Sequence, residues 1–203
     1  MLNDETVGSG AAGDRVAARG IAERARSAVL VVDMQRAFHT HVPRFFELAD
    51  RVRVLLAGAL RLGVPIACTE QYPAGLGRTV ASIVELLPDD TPYLDKVAFS
   101  ALRAQGWDEL PAAVRDAEQV VVVGIEAHVC VRHTALDLLA AGREVFVAVD
   151  GVASRSDLHR DVSVRELTRA GAHEATIEQV LFDWLGEAGK PEFKDVQRLL
   201  VDS

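Results

Sequence analysis

"QVVVVGIEAHVC", residues 119–130, decides how this chain folds. Four consecutive valines follow a glutamine, with no polar residue at alternate positions. A strand with one wet face alternates apolar and polar residues. A strand covered on both faces does not, and it belongs in a parallel sheet packed between helices. Gly124 closes the run, and Cys130 lies six positions later, where a helix is expected to begin near residue 128 and to run to 141. Free cysteine is commonly a packing residue. A cysteine at the start of a helix is also placed where a thiolate forms most easily.

The same alternation of strand and helix extends in both directions. "AVLVV" (28–32) is a second uninterrupted apolar run, and residues 45–62 place apolar side chains at helical spacing up to a stop at Gly63. "VPIACT" (64–69) reads as a strand and "EQYPAGLG" (70–77) as a turn-rich loop. A short helix is expected in "RTVASIVELL" (78–87), a short strand over 93–97 and a helix in "WDELPAAVRDA" (107–117). After the cysteine helix come "REVFVAVD" (143–150) as a strand, 157–172 as a helix, and "EATIE" (174–178) as a brief last strand. Two helical pieces, 179–188 and 191–201, complete the chain. Strands alternating with helices, joined by right-handed crossovers, predict an α/β fold: a three-layer αβα domain on a doubly wound, parallel six-stranded sheet of order 3-2-1-4-5-6.

The 203 residues suit one such domain, expected over 28–203. Residues 1–27 differ in kind: rich in Gly, Ala and charge, they read as a loose arm with a short helix around 16–26. The arm lacks the apolar core of a secretory signal, and its early acidic residues argue against an organellar transit peptide. The formal net charge is −8 and basic residues do not cluster, so a phosphate backbone is not an expected partner. Charged residues or prolines interrupt every apolar stretch, so no membrane partner is expected either. Cys68 and Cys130 are the only cysteines; a reducing, cytoplasmic setting follows.

In an open doubly wound sheet, ligands bind beyond the carboxyl ends of the strands where the order reverses, here between the first and fourth strands. Asp33 stands directly after the first of these, and Cys130 stands in the first turn of the helix that follows the fourth. An Asp there is often a mere cap or turn former. A carboxylate and a thiol meeting at that crevice make a base and a nucleophile. No G-x-G-x-x-G follows the first strand, which argues against a dinucleotide-binding module, and no cofactor is expected. His39 and His41 form an H-x-H pair without a third ligand nearby, so no metal is expected there.

With Asp33-Met34-Gln35, Lys96 in "YLDKVAFSAL" and Gly124 to Cys130, the chain resembles the isochorismatase-like cysteine hydrolases. "TEQYPAGLG", "GIEAHVC", "TALDLL" and "PEFKDVQRLL" resemble the isochorismatase-domain-containing proteins in particular. The resemblance implies a triad: Asp33 as the base, Lys96 as its counter-ion and a support for the thiolate, and Cys130 as the nucleophile that forms a thioester. It implies a cis peptide between Ile125 and Glu126, and an oxyanion hole from the N–H groups of Ala127 and Cys130. It also implies oligomers. Nicotinamidases in the superfamily carry an Asp-x-His metal motif where this chain has Thr69-Glu70-Gln71-Tyr72-Pro73. True isochorismatases lack the cysteine, so its presence implies cleavage of a C–N bond. Phe38, Gln71, Tyr72, Phe99 and His128 are candidates for the wall of a small-molecule pocket, with Glu70 in reach of it. The competing reading is a thiol-based redox or sensor protein that uses a low-pKa Cys130 without hydrolysis.

Overall fold

The computed structural model describes residues 20–201. Most of the expected arm, and the first part of its short helix, lie outside the described residues. The part that is described is docked rather than loose. Ala22 is fully buried, its N–H donates to Asp183 Oδ2 at 3.0 Å, and the Glu23 N–H donates to Gln119 Oε1 at 2.6 Å. The expected boundary at Ala28 therefore falls inside a packed segment, which turns once through Arg24–Arg26 before the sheet begins.

Six strands form one parallel sheet: β1 (Ser27–Val32), β2 (Ile66–Gln71), β3 (Tyr93–Lys96), β4 (Gln119–Ile125), β5 (Glu144–Ala153) and β6 (His173–Ala175). Their order is β3-β2-β1-β4-β5-β6, as the sequence predicts. Eight α-helical segments are described: α1 (Phe45–Leu62), α2 (Pro73–Leu76), α3 (Ala81–Val84), α4 (Ala112–Arg115), α5 (Arg132–Ala140), α6 (Asp157–Ala170), α7 (Ile177–Leu185) and α8 (Phe193–Val201). The valine runs are uninterrupted because successive side chains enter two different cores. Val29 and Val31 of β1, with Val121 and Val123 of β4, pack beneath α1 and α7. Leu30, Val32, Val120 and Val122 pack on the other face, against α5 and α6.

Several elements are shorter than the sequence suggests. The segment 107–117 splits into a tight turn at Trp107–Glu109 and α4, because Pro111 holds Leu110 in an extended conformation (φ −60°, ψ 149°). The last strand stops at Ala175 because Thr176 begins α7. Its hydroxyl accepts from the Gln179 N–H, while the Gln179 side chain accepts from the Thr176 N–H. Of 78–87 only α3 is α-helical; Thr79 instead bridges to Gln35. β2 begins and ends two residues later than expected. Pro65, lacking an N–H, contributes only its carbonyl, to the Val29 N–H at 2.8 Å.

β1 and β4 are in register from Ser27↔Gln119 to Val32↔Gly124. At the last pair, a Cβ on Gly124 would collide with the Val32 carbonyl, and φ there is +113°. Only glycine lets the two strand ends approach this closely. Gly124→Ala is expected to cost about 2–5 kcal/mol from overpacking and backbone strain. A urea denaturation midpoint equal to that of the parent chain would refute the close approach.

Candidate active site

The strand ends that the topology brings together carry the chemistry. Asp33 leaves β1 with φ +52°, a left-handed conformation uncommon for a residue with a side chain, and its N–H donates to the Thr69 carbonyl of β2 at 3.1 Å. Its carboxylate is fully enclosed. Lys96 Nζ, at the end of β3, lies 2.7 Å from Asp33 Oδ2, and Thr69 Oγ1 donates to Oδ1 at 2.6 Å. Neither side chain of the Asp33–Lys96 pair has exposed surface. Lys96 Nζ also donates to Gln71 Oε1 at 2.6 Å.

Cys130 is 6% exposed and sits in a wide first turn, Ala127–Val131, of π-helical spacing that leads into α5. Its thiol faces Gln71 Oε1 at 3.7 Å. Burial pushes the Cys130 thiol well above the ordinary range, and the Asp33 charge pushes it the same way, while Lys96 pulls it down. This corrects the expectation of a resting thiolate. The helix start and the lysine are both present, yet desolvation and a neighbouring carboxylate outweigh them. The sulfur is held as a thiol, next to a carboxylate that could take its proton.

The Ile125–Glu126 peptide is cis. Beyond it, the N–H groups of Val129 and Val131 both donate to the Glu126 carbonyl, at 2.9 and 3.2 Å. Ile125 is fully buried, Glu126 pairs with Arg155 at 2.8 Å, and the Ala127 carbonyl accepts from Ser163 Oγ at 2.7 Å.

The expected pocket residues fare differently. Gln71 is the one in contact with the sulfur. Tyr72 is 56% exposed, with its N–H on the Lys96 carbonyl at 2.7 Å. Phe99 is also exposed and packs on the His133 ring. Half-buried His128 meets Ser154 Oγ at 3.0 Å and the His159 ring at 4.7 Å. Burial lowers its pKa; His159 and Arg155 act the same way, and Glu126 opposes them. Phe38 packs instead against the core cluster on the α1 face. Glu70 does not reach the site: it is buried, accepts from the Thr79 N–H at 2.7 Å and pairs with Arg78 at 2.6 Å, fastening the loop after α2. His39 bonds the Arg36 carbonyl, and no trio of His, Cys, Asp or Glu side chains converges on a metal position among the described residues.

Two contributors were given no role from sequence, although Gln35 belongs to the Asp33-Met34-Gln35 motif. Thr69 is found only through the register Val32↔Thr69, which sets its hydroxyl beside the residue after Val32. Gln35 receives the Gln71 N–H on Oε1 at 2.8 Å, and its Nε2 donates to the Gln71 and Gly77 carbonyls at 2.9 and 2.7 Å. It clamps the end of β2 in place. A cavity of about 280 Å³, lined by Tyr72, Pro73, Lys96, Val97, Ala98 and Arg103 among others, lies at the end of β3, with the Lys96 side chain itself enclosed. A larger groove of about 800 Å³ lies between α1 and α8, remote from these groups.

Residues 27–179 match the isochorismatase domain family. The isochorismatase domain-containing protein 2 of Xenopus laevis is 38% identical over 87% of this chain and 85% of its own length. A solved structure described as MAR1 ribonuclease from Caenorhabditis elegans is 38% identical, with a TM-score of 0.82 over 88% of this chain and 91% of that one. The fold is shared as well with YcaC from Escherichia coli, described as an octameric hydrolase of unknown specificity. That likeness is 22% identical, with a TM-score of 0.74 over 90% of this chain and 95% of that one.

Two consequences of the geometry can be measured. Lys96→Ala leaves the Asp33 carboxylate buried without its partner, and a loss of about 3–5 kcal/mol in denaturation free energy is expected. An unchanged denaturation midpoint would mean the pair is not buried in solution. Because the Cys130 thiol is raised rather than lowered, it deprotonates later than a free thiol. Its labelling by iodoacetamide should be slow at neutral pH and still climbing at about pH 9, past the ordinary thiol value of about 8.5. A plateau reached below neutrality would show a resting thiolate.

Proposed function

We propose that this chain, which belongs to the isochorismatase domain family, is a cysteine hydrolase that cleaves the C–N bond of a small amide. A hydrolase fits the family; the triad and the bond cleaved are our reading. The observation that carries it is the enclosed Asp33–Lys96 pair set beside the Cys130 thiol at the reversal of strand order. Asp33 takes the thiol proton as Sγ attacks the amide carbon. The oxygen that becomes negative is met by the N–H groups of Ala127 and Cys130. The C–N bond then breaks, its electron pair and the proton from Asp33 leaving with nitrogen, and a thioester remains. Water, deprotonated by the same carboxylate, releases the acid and restores the thiol. Lys96 stays the counter-ion of Asp33 throughout.

A redox or sensor role gains no support. Cys68 is fully buried among the residues packed on the α1 face, and Cys130 belongs to the cluster on the opposite face. Burial also pushes Cys68 up to about 12. The ribonuclease description of the Caenorhabditis elegans structure is not carried over, since a net charge of −8 opposes binding a phosphate backbone. Self-association is part of the proposal. Tyr72, Val97 and Phe99 near the site, and Leu158 and Val162 on α6, are exposed apolar side chains, and YcaC is described as octameric.

Ammonia release across a panel of small amides and ureas is the direct test. Turnover should appear for at least one of them, fall by about 10³-fold or more in Cys130→Ala and Asp33→Asn, and fall no further in the double variant. A Cys130→Ala chain that keeps hydrolysing the best substrate would overturn the assignment. Light scattering should give a mass above that of one chain at micromolar concentration, and a monomer would remove the self-association.

A further inference from the structure

We propose that the Gln71 carboxamide is a gate over the Cys130 sulfur, and that it rests in a seat which a substrate carboxamide must take from it. This rests on Cys130 being the nucleophile. Gln71 Oε1 accepts from Lys96 Nζ at 2.6 Å and lies 3.7 Å from Cys130 Sγ, while Nε2 donates to the Val97 carbonyl at 2.8 Å. The group that covers the sulfur is therefore itself a primary amide, bonded through both its oxygen and its nitrogen.

The surroundings suit a gate. The Val97 carbonyl that holds Nε2 belongs to a residue lining the cavity beside Tyr72, so the Gln71 carboxamide ends next to that opening. The Gln71 main chain is held at both N–H and carbonyl by the Gln35 side chain and by pairing with Lys96 across β2 and β3. Its side chain ends among exposed residues, with Val97 78% exposed. The side chain can rotate out while the strand end stays fixed. The seat it leaves offers an ammonium and a thiol to an oxygen, and the Val97 carbonyl to an N–H. That pattern selects carboxamides or ureas carrying a free N–H over tertiary amides, which have no hydrogen for Val97.

The test is alkylation of Cys130 in the full chain by acrylamide and by N,N-dimethylacrylamide, followed by mass spectrometry. Each rate is divided by that of the same reagent with glutathione. In the addition, sulfur bonds to the terminal alkene carbon, the thiol proton ends on the carbon next to the carbonyl, and nothing leaves. In Gln71→Ala the normalised acrylamide rate should rise roughly tenfold across pH 6 to 9, the scale of one or two lost hydrogen bonds. The dimethyl reagent should gain severalfold less.

A Gln71→Ala rate equal to the parent's would overturn the gate, and equal gains for both reagents would overturn the amide seat. A shifted pH midpoint with an unchanged limiting rate would make Gln71 a tuner of the thiol instead, and would also overturn the proposal. If Gln71→Ala does not fold, Gln71→Asn, whose amide is one methylene too short, serves the same purpose. Labelling needs no turnover, so a chain that releases ammonia from no amide leaves this result readable by itself.

Discussion

Everything at the carboxyl edge of the sheet depends on placing one carboxylate and one ammonium out of water together. Removing two such charges from solvent costs several kcal/mol each, and their attraction compensates only with close geometry and further hydrogen bonds. Asp33 and Lys96 meet both conditions, 2.7 Å apart with Thr69 on the second carboxylate oxygen and Gln71 on the ammonium. These four residues come from the ends of three strands. The pair therefore forms only if Val32↔Thr69 and Gln71↔Lys96 are both in register. A one-residue slip would turn each side chain to the other face. Sheet register and site chemistry are a single constraint here.

That constraint also decides the state of the sulfur. A cysteine in the first turn of a helix, near a lysine, looks from sequence like a ready anion. In the structure the lysine is already committed to Asp33, burial is the largest influence on the thiol and raises it, and the Asp33 charge opposes the pull of Lys96. Attack and proton removal are thereby tied to one event at the carboxylate. The Cys130 neighbourhood favours a thiol that waits over a thiolate that reacts with whatever arrives.

Much of the fold was legible because its signals are local. Two valine-rich runs can only be strands covered on both faces, and α1 shows its buried stripe from Phe45 to Leu62 without help from the rest of the chain. Asp33 and Cys130 were legible one step later, through topology. What could not be read depends on cross-strand register or on burial: the Thr69 hydroxyl, the bond from Lys96 to the Gln71 amide, the diversion of Glu70 to Thr79 and Arg78, and the protonation of Cys130. Phe38 shows the same difficulty, since an aromatic residue near a site and one packed on a core have the same local signature.

At the amino ends of the strands, the docked segment from Ala22 has a consequence for how the molecule can be joined to others. Ala22 and Glu23 are bound to Asp183 and Gln119, Arg26 spans Glu118 and Glu144, and Trp184 Nε1 donates to Ser27 Oγ at 3.0 Å. This edge is a mechanical floor, stitched by polar bonds and separated from Cys130 by the full length of β4. Gly20, the first described residue, lies at this floor beside His173. A tether, tag or neighbouring domain attached there would pull on the end of the sheet opposite Asp33 and Cys130, leaving the mouth of the site open to traffic.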